Sequence, residues 1–276
     1  MVRITVLTSS YRLLYKKEQI EALSQQTFRD FEWIVVDDHY QDNAPLSTPF
    51  PCIHMPPAEI FQYFALGAAM NDGLVRASGK YVFFMNDYVI PKPGCLARHW
   101  AVQEKMGGCL LSGRATNPSG TPTTYNGEVV KVEDYRMALF KYVMFPSTLV
   151  GDGLIEAERD GVQCWWAGRN DSAPLKAILD CNGFEEAFDG RWGGHDADMA
   201  NRLMTYGLKY YLDKKSECLE YDHPRGAKKQ VRTEAQQQNL QNVIINPRVE
   251  RGDYMANKEW LVMLPRNLKE ERGEGE

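Results

Sequence analysis

Three short apolar runs, Ile4 to Leu7, Glu32 to Val36 and Tyr81 to Met85, lack the polar-apolar alternation of a strand with one wet face. They read as buried parallel strands. Between the first two, from about Leu13 to Gln26, Leu13, Ile20 and Leu23 fall near helical spacing, as a parallel crossover requires. A second helical stretch, Ala58 to Ala77, precedes the third strand and is closed by Gly79. Repeated strand-helix-strand units predict an open, mainly parallel α/β sheet, in which ligands bind beyond the carboxyl ends of the strands. The residues after Leu7, Val36 and Met85 are therefore the first candidates for chemistry. Beyond Pro91 the pattern loosens, and Asn117-Pro118-Ser119-Gly120-Thr121-Pro122 signals a loop. Met199, Leu203 and Tyr206 then recur at helical spacing between Gly194 and Gly207, predicting a helix from Asp196 to Tyr206. From about Thr233 the chain is polar and Gln-rich, and it is acidic from Glu270 to Glu276, the pattern of a helix followed by a frayed tail.

Composition narrows the class. With 276 residues, 43% hydrophobic and 25% charged, the chain is of soluble globular type and long enough for a sizeable core. Lys+Arg 32 against Asp+Glu 37 gives a net charge of -5, so no global basic field exists to hold a nucleic-acid backbone. The six cysteines show no C-x-x-C spacing, which suits reduced thiols in a cytoplasmic protein. The run Met1 to Leu7 is too short for a signal-peptide core, and no stretch reaches the length of a bilayer span. Asn170-Asp171-Ser172 matches a glycosylation acceptor pattern that has no use without an export signal.

Carboxylates gather at the expected strand ends. Asp37-Asp38 follows Trp33-Ile34-Val35-Val36, with Asp42 four residues beyond Asp38. Carboxylates there can accept hydrogen bonds from a base or ribose; equally, they can close a turn by bonding their own backbone. Asn86 and Asp87 follow the third strand. Hard oxygen donors at that edge suit Mg²⁺ or Mn²⁺ on a diphosphate, and a turn before Pro91 is the plainer alternative. Asp196, after Gly193-Gly194, stands at or near a helix N-terminus, where the backbone N–H groups and dipole keep a carboxylate ionised. Such a group can deprotonate a sugar hydroxyl, or it can simply cap the helix.

Taken together and in order, these segments resemble glycosyltransferase family 2, of GT-A fold. Leu7-Thr8-Ser9-Ser10-Tyr11-Arg12 and then Gln26-Thr27-Phe28-Arg29-Asp30-Phe31-Glu32-Trp33-Ile34-Val35-Val36-Asp37-Asp38 look like that family's opening, with His39-Tyr40 in place of its Gly-Ser. The stretch Ala77-Ser78-Gly79-Lys80-Tyr81 through Asn86-Asp87-Tyr88-Val89-Ile90-Pro91 is similar to its metal-binding segment, with Tyr88 where the last Asp stands. Trp166-Ala167-Gly168-Arg169-Asn170-Asp171-Ser172, Asn182-Gly183-Phe184-Glu185-Glu186-Ala187-Phe188, Trp192-Gly193-Gly194-His195-Asp196-Ala197-Asp198 and Arg202-Leu203 resemble the acceptor half shared with galactosyltransferase-type domains, His195 standing for a Glu.

The resemblance implies a GT-A domain over residues 1–225, with a nucleotide-sugar half at 1–92 and an acceptor half at 93–225, followed by a C-terminal extension at 226–276. It implies an inverting transferase that moves a sugar from a nucleoside-diphosphate donor such as a UDP-sugar to a glycan or other hydroxyl. Thr8, Ser10, Tyr11, Arg12, Asp37, Asp38 and Asn86 would face the nucleotide, and Trp166, Gly194 and His195 the acceptor or sugar. Asp196 takes the base position, and Asp87 with His223 would hold Mn²⁺ or Mg²⁺. Trp166 can equally be core packing and His223 an ordinary loop residue. Lys228, Lys229 and Arg232 could neutralise a diphosphate without metal, or form a solvated face. The rival class is a non-catalytic module that binds a nucleotide sugar or glycan, to which Tyr88 and His195 lend support. A nucleotidyltransferase would need a Gly-rich phosphate loop after the first strand, and Leu7 to Arg12 contains none.

Overall fold

The three apolar runs become adjacent parallel strands, β1 (Ile4–Ser10), β2 (Phe31–Asp37) and β4 (Tyr81–Phe84), with β1 in the middle. A short parallel edge strand, β3 (Cys52–Met55), adds beyond β2. The structure is a computed structural model and describes residues 2–10, 15–43, 45–58, 66–116, 123–125, 128–130, 147–157, 168–189, 195–221 and 266–274. Among these residues the remaining strands are β5 (Val89–Pro91), β6 (Leu110–Thr116), β7 (Thr123–Tyr125), β8 (Glu128–Val130), β9 (Ser147–Gly151), β10 (Leu154–Ala157), β11 (Asp171–Pro174) and β12 (Tyr210–Glu220). The main sheet runs β3-β2-β1-β4-β11-β6-β12-β10-β9, with β5 on β12 and a separate β7-β8 hairpin. β11 is antiparallel to both β4 and β6, and β12 is parallel to β6, so the sheet is mixed, parallel from β3 through β4 and again between β6 and β12.

Its central strands are buried on both faces, which is why their sequences do not alternate. Leu7, Ile34, Val36, Val82 and Phe84 pack on one side with α2 (Leu66–Arg76), α4 (Leu175–Asp180) and α5 (His195–Thr205). Ile4, Val6, Trp33, Val35 and Phe83 pack on the other with α1 (Lys16–Ser24) and α3 (Cys95–Met106). The helix expected from Leu13 is described from Lys16, after Tyr15 in a left-handed conformation. The helix expected from Ala58 is described from Leu66, and Ala58 itself is not helical.

α3 falls where the pattern loosened. Its buried stripe is Cys95, Leu96, His99, Val102 and Gln103, a helical spacing with two polar members. His99 reaches Ser172 Oγ at 2.7 Å and Asn170 Oδ1 at 2.9 Å, and Gln103 donates to Ser172 Oγ at 2.8 Å. Partners supplied by β11 and its approach thus satisfy side chains that no apolar periodicity reveals.

The acceptor-half motifs serve partly as scaffold. Gly183 has φ 69°, and a Cβ there would lie 2.3 Å from both Asn71 Oδ1 and Leu268 Cδ1. Asn71 on α2 brackets the next residue, accepting from Phe184 N at 2.8 Å and donating to Phe184 O at 2.9 Å. Buried Arg202 pairs with Asp198 one turn earlier and donates to the carbonyls of Cys181 and Gly183.

The C-terminal end departs from the frayed tail expected of its composition. A short helix, α6 (Leu268–Glu271), is capped by the Asn267 side chain, and Leu268 is fully buried in the core beside α2 and α4. Arg272 donates to the carbonyls of Leu74, Val75 and Ala77, closing the C-terminus of α2, and Arg266 donates to Asp72 and Glu186. Charged residues that read as solvated are here spent on helix-end carbonyls and acidic neighbours. Leu268→Ala should therefore lower unfolding stability by about 2–4 kcal/mol, as expected for a truncated core leucine. Chemical denaturation measures it, and a loss below about 0.5 kcal/mol would show that the end does not dock.

Candidate functional site

The carboxyl ends of β1, β2 and β4 lie side by side, and their polar residues divide into two clusters. The first centres on Asp37, which is fully buried. Its carboxylate takes the Lys16 ammonium, Asn43 Nδ2 at 2.7 Å, His54 Nε2 at 2.9 Å and the His39 backbone N–H at 3.0 Å. Burial by itself pushes this carboxyl up. The hydrogen bonds from Lys16 and His54, the Lys16 charge and the His39 N–H outweigh it and hold the group below the usual carboxylate range. Asp37 thereby ties the start of α1, the edge strand β3 and the 38–43 turn to one point. Lys16, Asn43 and His54 are members of the cluster that sequence reasoning missed. The carboxylate at the end of β2 was the only signal pointing to them.

Asp38 differs. It is half-buried, its backbone N–H donates to Ser10 O at 2.9 Å, and its carboxyl is pushed up to about 6, first by burial and then by the negative charge of Asp37. Thr8 faces the packed interior: it is fully buried and its hydroxyl accepts from Trp33 Nε1 at 3.0 Å. Tyr11 and Arg12 lie outside the described residues.

The second cluster forms where β4 ends. Asn86 donates from Nδ2 to the Tyr88 hydroxyl at 2.9 Å, while Gln19 of α1 donates to the carbonyls of Asn86 at 2.9 Å and Val89 at 3.1 Å. Asp87 is buried. Gly168 connects this turn to α5: a Cβ placed on it would lie 3.5 Å from Asp196 Oδ1 and 3.9 Å from Asn86 Oδ1. With φ 62°, Gly168 occupies a backbone region that a side chain disfavours. Asp196, in the first turn of α5 and partly exposed, therefore meets Asn86 across a bare stretch of backbone.

Arg169 follows directly. Its Nη1 donates to Glu220 Oε1 at 2.6 Å and Oε2 at 2.7 Å, and its backbone N–H donates to Asp171 Oδ2 at 2.9 Å. Burial opposes its charge, but Glu220, Tyr88 and Asp171 more than compensate and raise its pKa. Tyr88 sits in the field of the same pair. Burial raises its pKa, Arg169 opposes that shift and Glu220 adds to it, leaving the phenol neutral. The backbone joins these elements, with Tyr221 N donating to Tyr88 O at 3.0 Å and the Tyr15 and Tyr221 rings 5.2 Å apart.

His195, the residue in place of a Glu, is buried rather than presented to an acceptor. Its Nε2 lies 2.8 Å from Asp189 Oδ1, and Asp189 accepts from the backbone N–H groups of Gly67 and Ala68, each at 2.8 Å. Asp189 thus satisfies the first turn of α2 and joins it to the first turn of α5. Trp166, Gly194, His223, Lys228, Lys229 and Arg232 lie outside the described residues.

Of the two residues expected to hold a divalent cation only Asp87 is described, and one carboxylate beside a neutral phenol is a poor cage for such an ion. Asp87 is the only carboxylate of the turn, the Asn86 amide is directed at Tyr88, and the charges acting on Tyr88 are the Arg169 guanidinium and the Glu220 and Asp87 carboxylates. Among the described residues, no three His, Cys, Asp or Glu side chains group to hold a metal.

No helix among the described residues is long and apolar enough to cross a membrane. No family model matches the chain, and no curated protein matches it. Solved structures do. A crystal structure of S. aureus TarS aligns at 13% identity and TM-score 0.53 over 80% of this chain and 37% of that one. A structure of TarS 1-349 in complex with UDP-GlcNAc aligns at 14% identity and TM-score 0.55, over 81% of this chain and 60% of that one, and the UDP complex at 14% and 0.52, over 80% and 61%. The chain thus spans well under two thirds of the TarS chains it matches. The likeness is one of fold: the mostly parallel sheet flanked by helices is the α/β, GT-A-like architecture expected from the sequence.

Proposed function

We propose that the chain is an inverting glycosyltransferase that uses a UDP-sugar donor, with Asp196 as general base. The observation that carries this reading is the meeting of Asp196 and Asn86 across Gly168, at the carboxyl edge of the sheet and the first turn of α5. Support comes also from the family 2 motifs in their order and from the likeness in fold to chains solved with UDP and UDP-GlcNAc. In this mechanism Asp196 takes the proton from an acceptor hydroxyl. The hydroxyl oxygen bonds to the anomeric carbon as the bond to the diphosphate breaks on the opposite face. Asp38, half-buried at the end of β2, offers carboxylate oxygens for the base or ribose. Asp37 acts one step behind, holding the turn that carries Asp38.

The non-catalytic reading draws on Tyr88 and His195. His195, however, is absorbed into the scaffold through Asp189, so its departure from Glu leaves Asp196 in place. Tight UDP binding with no hydrolysis or transfer of any UDP-sugar would favour the binding module.

Asp196→Asn should cut transfer and donor hydrolysis by ~10²–10⁴-fold. UDP affinity should stay within about twofold of wild type, since the base acts on the acceptor. Turnover of UDP-sugars followed by UDP release, beside calorimetric binding, measures both. Wild-type turnover in the variant would remove Asp196 from the mechanism.

Asp38 yields a prediction in pH. Its unfolded carboxyl titrates near 3.8 and its folded one at about 6, so between these values the folded state holds the extra proton. Stability therefore falls as pH rises through this window, and the loss is complete above it. Asp38→Asn should be more stable than wild type near pH 7.5 by the order of 2 kcal/mol, roughly 4–8 °C in Tm, with the difference vanishing near pH 4. The same variant should bind UDP more weakly. A variant equally stable at both pH values, with unchanged UDP affinity, would show that Asp38 is an ordinary turn residue.

A further inference from the structure

Family 2 motifs place a second carboxylate where this chain has Tyr88, and a lone carboxylate with a neutral phenol is a poor cage for a divalent cation. The charge found beside that phenol is the guanidinium of Arg169, from a segment 81 positions away in sequence. Three features make it more than a surface ion pair. Arg169 immediately follows Gly168, where an added Cβ would come within 3.5 Å of Asp196 Oδ1 and 3.9 Å of Asn86 Oδ1. Glu220, at the end of β12, grips it through one nitrogen, Nη1, with both carboxylate oxygens at 2.6 and 2.7 Å. Its Nε and Nη2 take no acceptor among the described residues, so up to three N–H donors of the planar fork remain for an incoming anion. The side chain is 18% exposed, reachable by a ligand yet held in a low-dielectric setting where a fixed charge acts strongly.

We propose that Arg169, held by Glu220, is the resident cation that binds the donor's diphosphate and stabilises the leaving group, in place of a divalent metal. The inference rests on the UDP-sugar reading above. As the anomeric carbon–oxygen bond breaks, its electron pair goes to the diphosphate oxygen, and the Arg169 donors meet that growing charge without a proton transfer. Glu220 is a positioning residue: it fixes the guanidinium plane and balances one positive charge while the site is empty. Tyr88 completes the exchange, since a phenol adds no negative charge that would compete with the diphosphate for Arg169.

The test uses the full chain, with UDP and uridine as probes, by calorimetry in EDTA and again in Mn²⁺. Wild-type UDP affinity should agree within about threefold between the two buffers. Arg169→Gln should weaken UDP roughly 10- to 100-fold, the loss expected for charged hydrogen bonds. Uridine, which lacks the diphosphate, should bind both proteins alike. Arg169→Lys, which keeps the charge but not the fork, should fall between. If Arg169→Gln does not fold because Glu220 is left unpaired, the double variant Arg169→Gln/Glu220→Gln removes the pair together and should show the same selective loss of UDP. Wild-type UDP binding that requires Mn²⁺ would overturn the proposal and leave the transferase reading intact. So would an Arg169 variant with unchanged UDP affinity, or one that loses UDP and uridine equally, the mark of a structural role. If wild type binds UDP in neither buffer, the UDP-sugar reading fails and this proposal falls with it.

Discussion

A parallel sheet buried on both faces leaves its strand ends as the place where polar groups can meet water or ligand, and the organisation of this chain follows from that constraint. The central strands carry mainly apolar side chains in both directions, so a charge between their ends needs dedicated partners, as Glu32 near the start of β2 has in Thr5 Oγ1 and in Ser78 N and Oγ. Carboxylates and amides therefore collect where β1, β2 and β4 stop. Once there, each is either tied down by partners or left half-buried, and the two outcomes occur side by side. Asp37 is saturated by Lys16, Asn43, His54 and the His39 N–H, whereas Asp38 keeps an elevated pKa beside it. The saturated residue holds the turn; the other stays protonated to a higher pH.

The same division runs through the acceptor half. Several residues of the recognised motifs are framework. Arg202 holds the Cys181 and Gly183 carbonyls, Asn71 brackets Phe184, and Arg266 and Arg272 lock the far end of the chain onto α2. α2 is consequently gripped at both ends, by Asp189 at its first turn and Arg272 at its last. His195 extends this clamp to the first turn of α5, the turn that carries Asp196. A substitution within a chemical motif has thus become a tether for the residue next to it. The turn that carries Asp196 is thus held through Asp189 to the backbone N–H groups of Gly67 and Ala68.

The electrostatics of the β4 turn point the same way. A tyrosine in place of a carboxylate lowers the negative charge of the turn, and the arginine after Gly168 adds a positive one. These two changes together are what the proposed diphosphate site rests on. The pairing of Arg169 with Glu220 spans 51 positions, and it exists because β11 is inserted between β4 and β6 while β12 returns alongside β6.

The sequence by itself determined the elements whose signal is local. Uninterrupted apolar runs marked β1, β2 and β4, the polar residues following them marked the ligand edge, and spacing after a pair of glycines marked α5 with Asp196 in its first turn. Tertiary structure decided everything that depends on partners distant in the chain. α3 was hidden because His99 and Gln103 fill core positions that only Asn170, Ser172 and Cys109 make tolerable for polar groups. The end of the chain read as a frayed acidic tail because the basic residues that dock it, Arg266 and Arg272, find their acceptors on α2, nearly two hundred positions away. Asp37 and Asp38 are adjacent and chemically identical in sequence, yet one is buried in a network and the other is half-buried. The alternation of side chains along a strand permits either arrangement, and the choice was made by which carboxylate Lys16, Asn43 and His54 could reach once α1 and β3 had packed against the sheet.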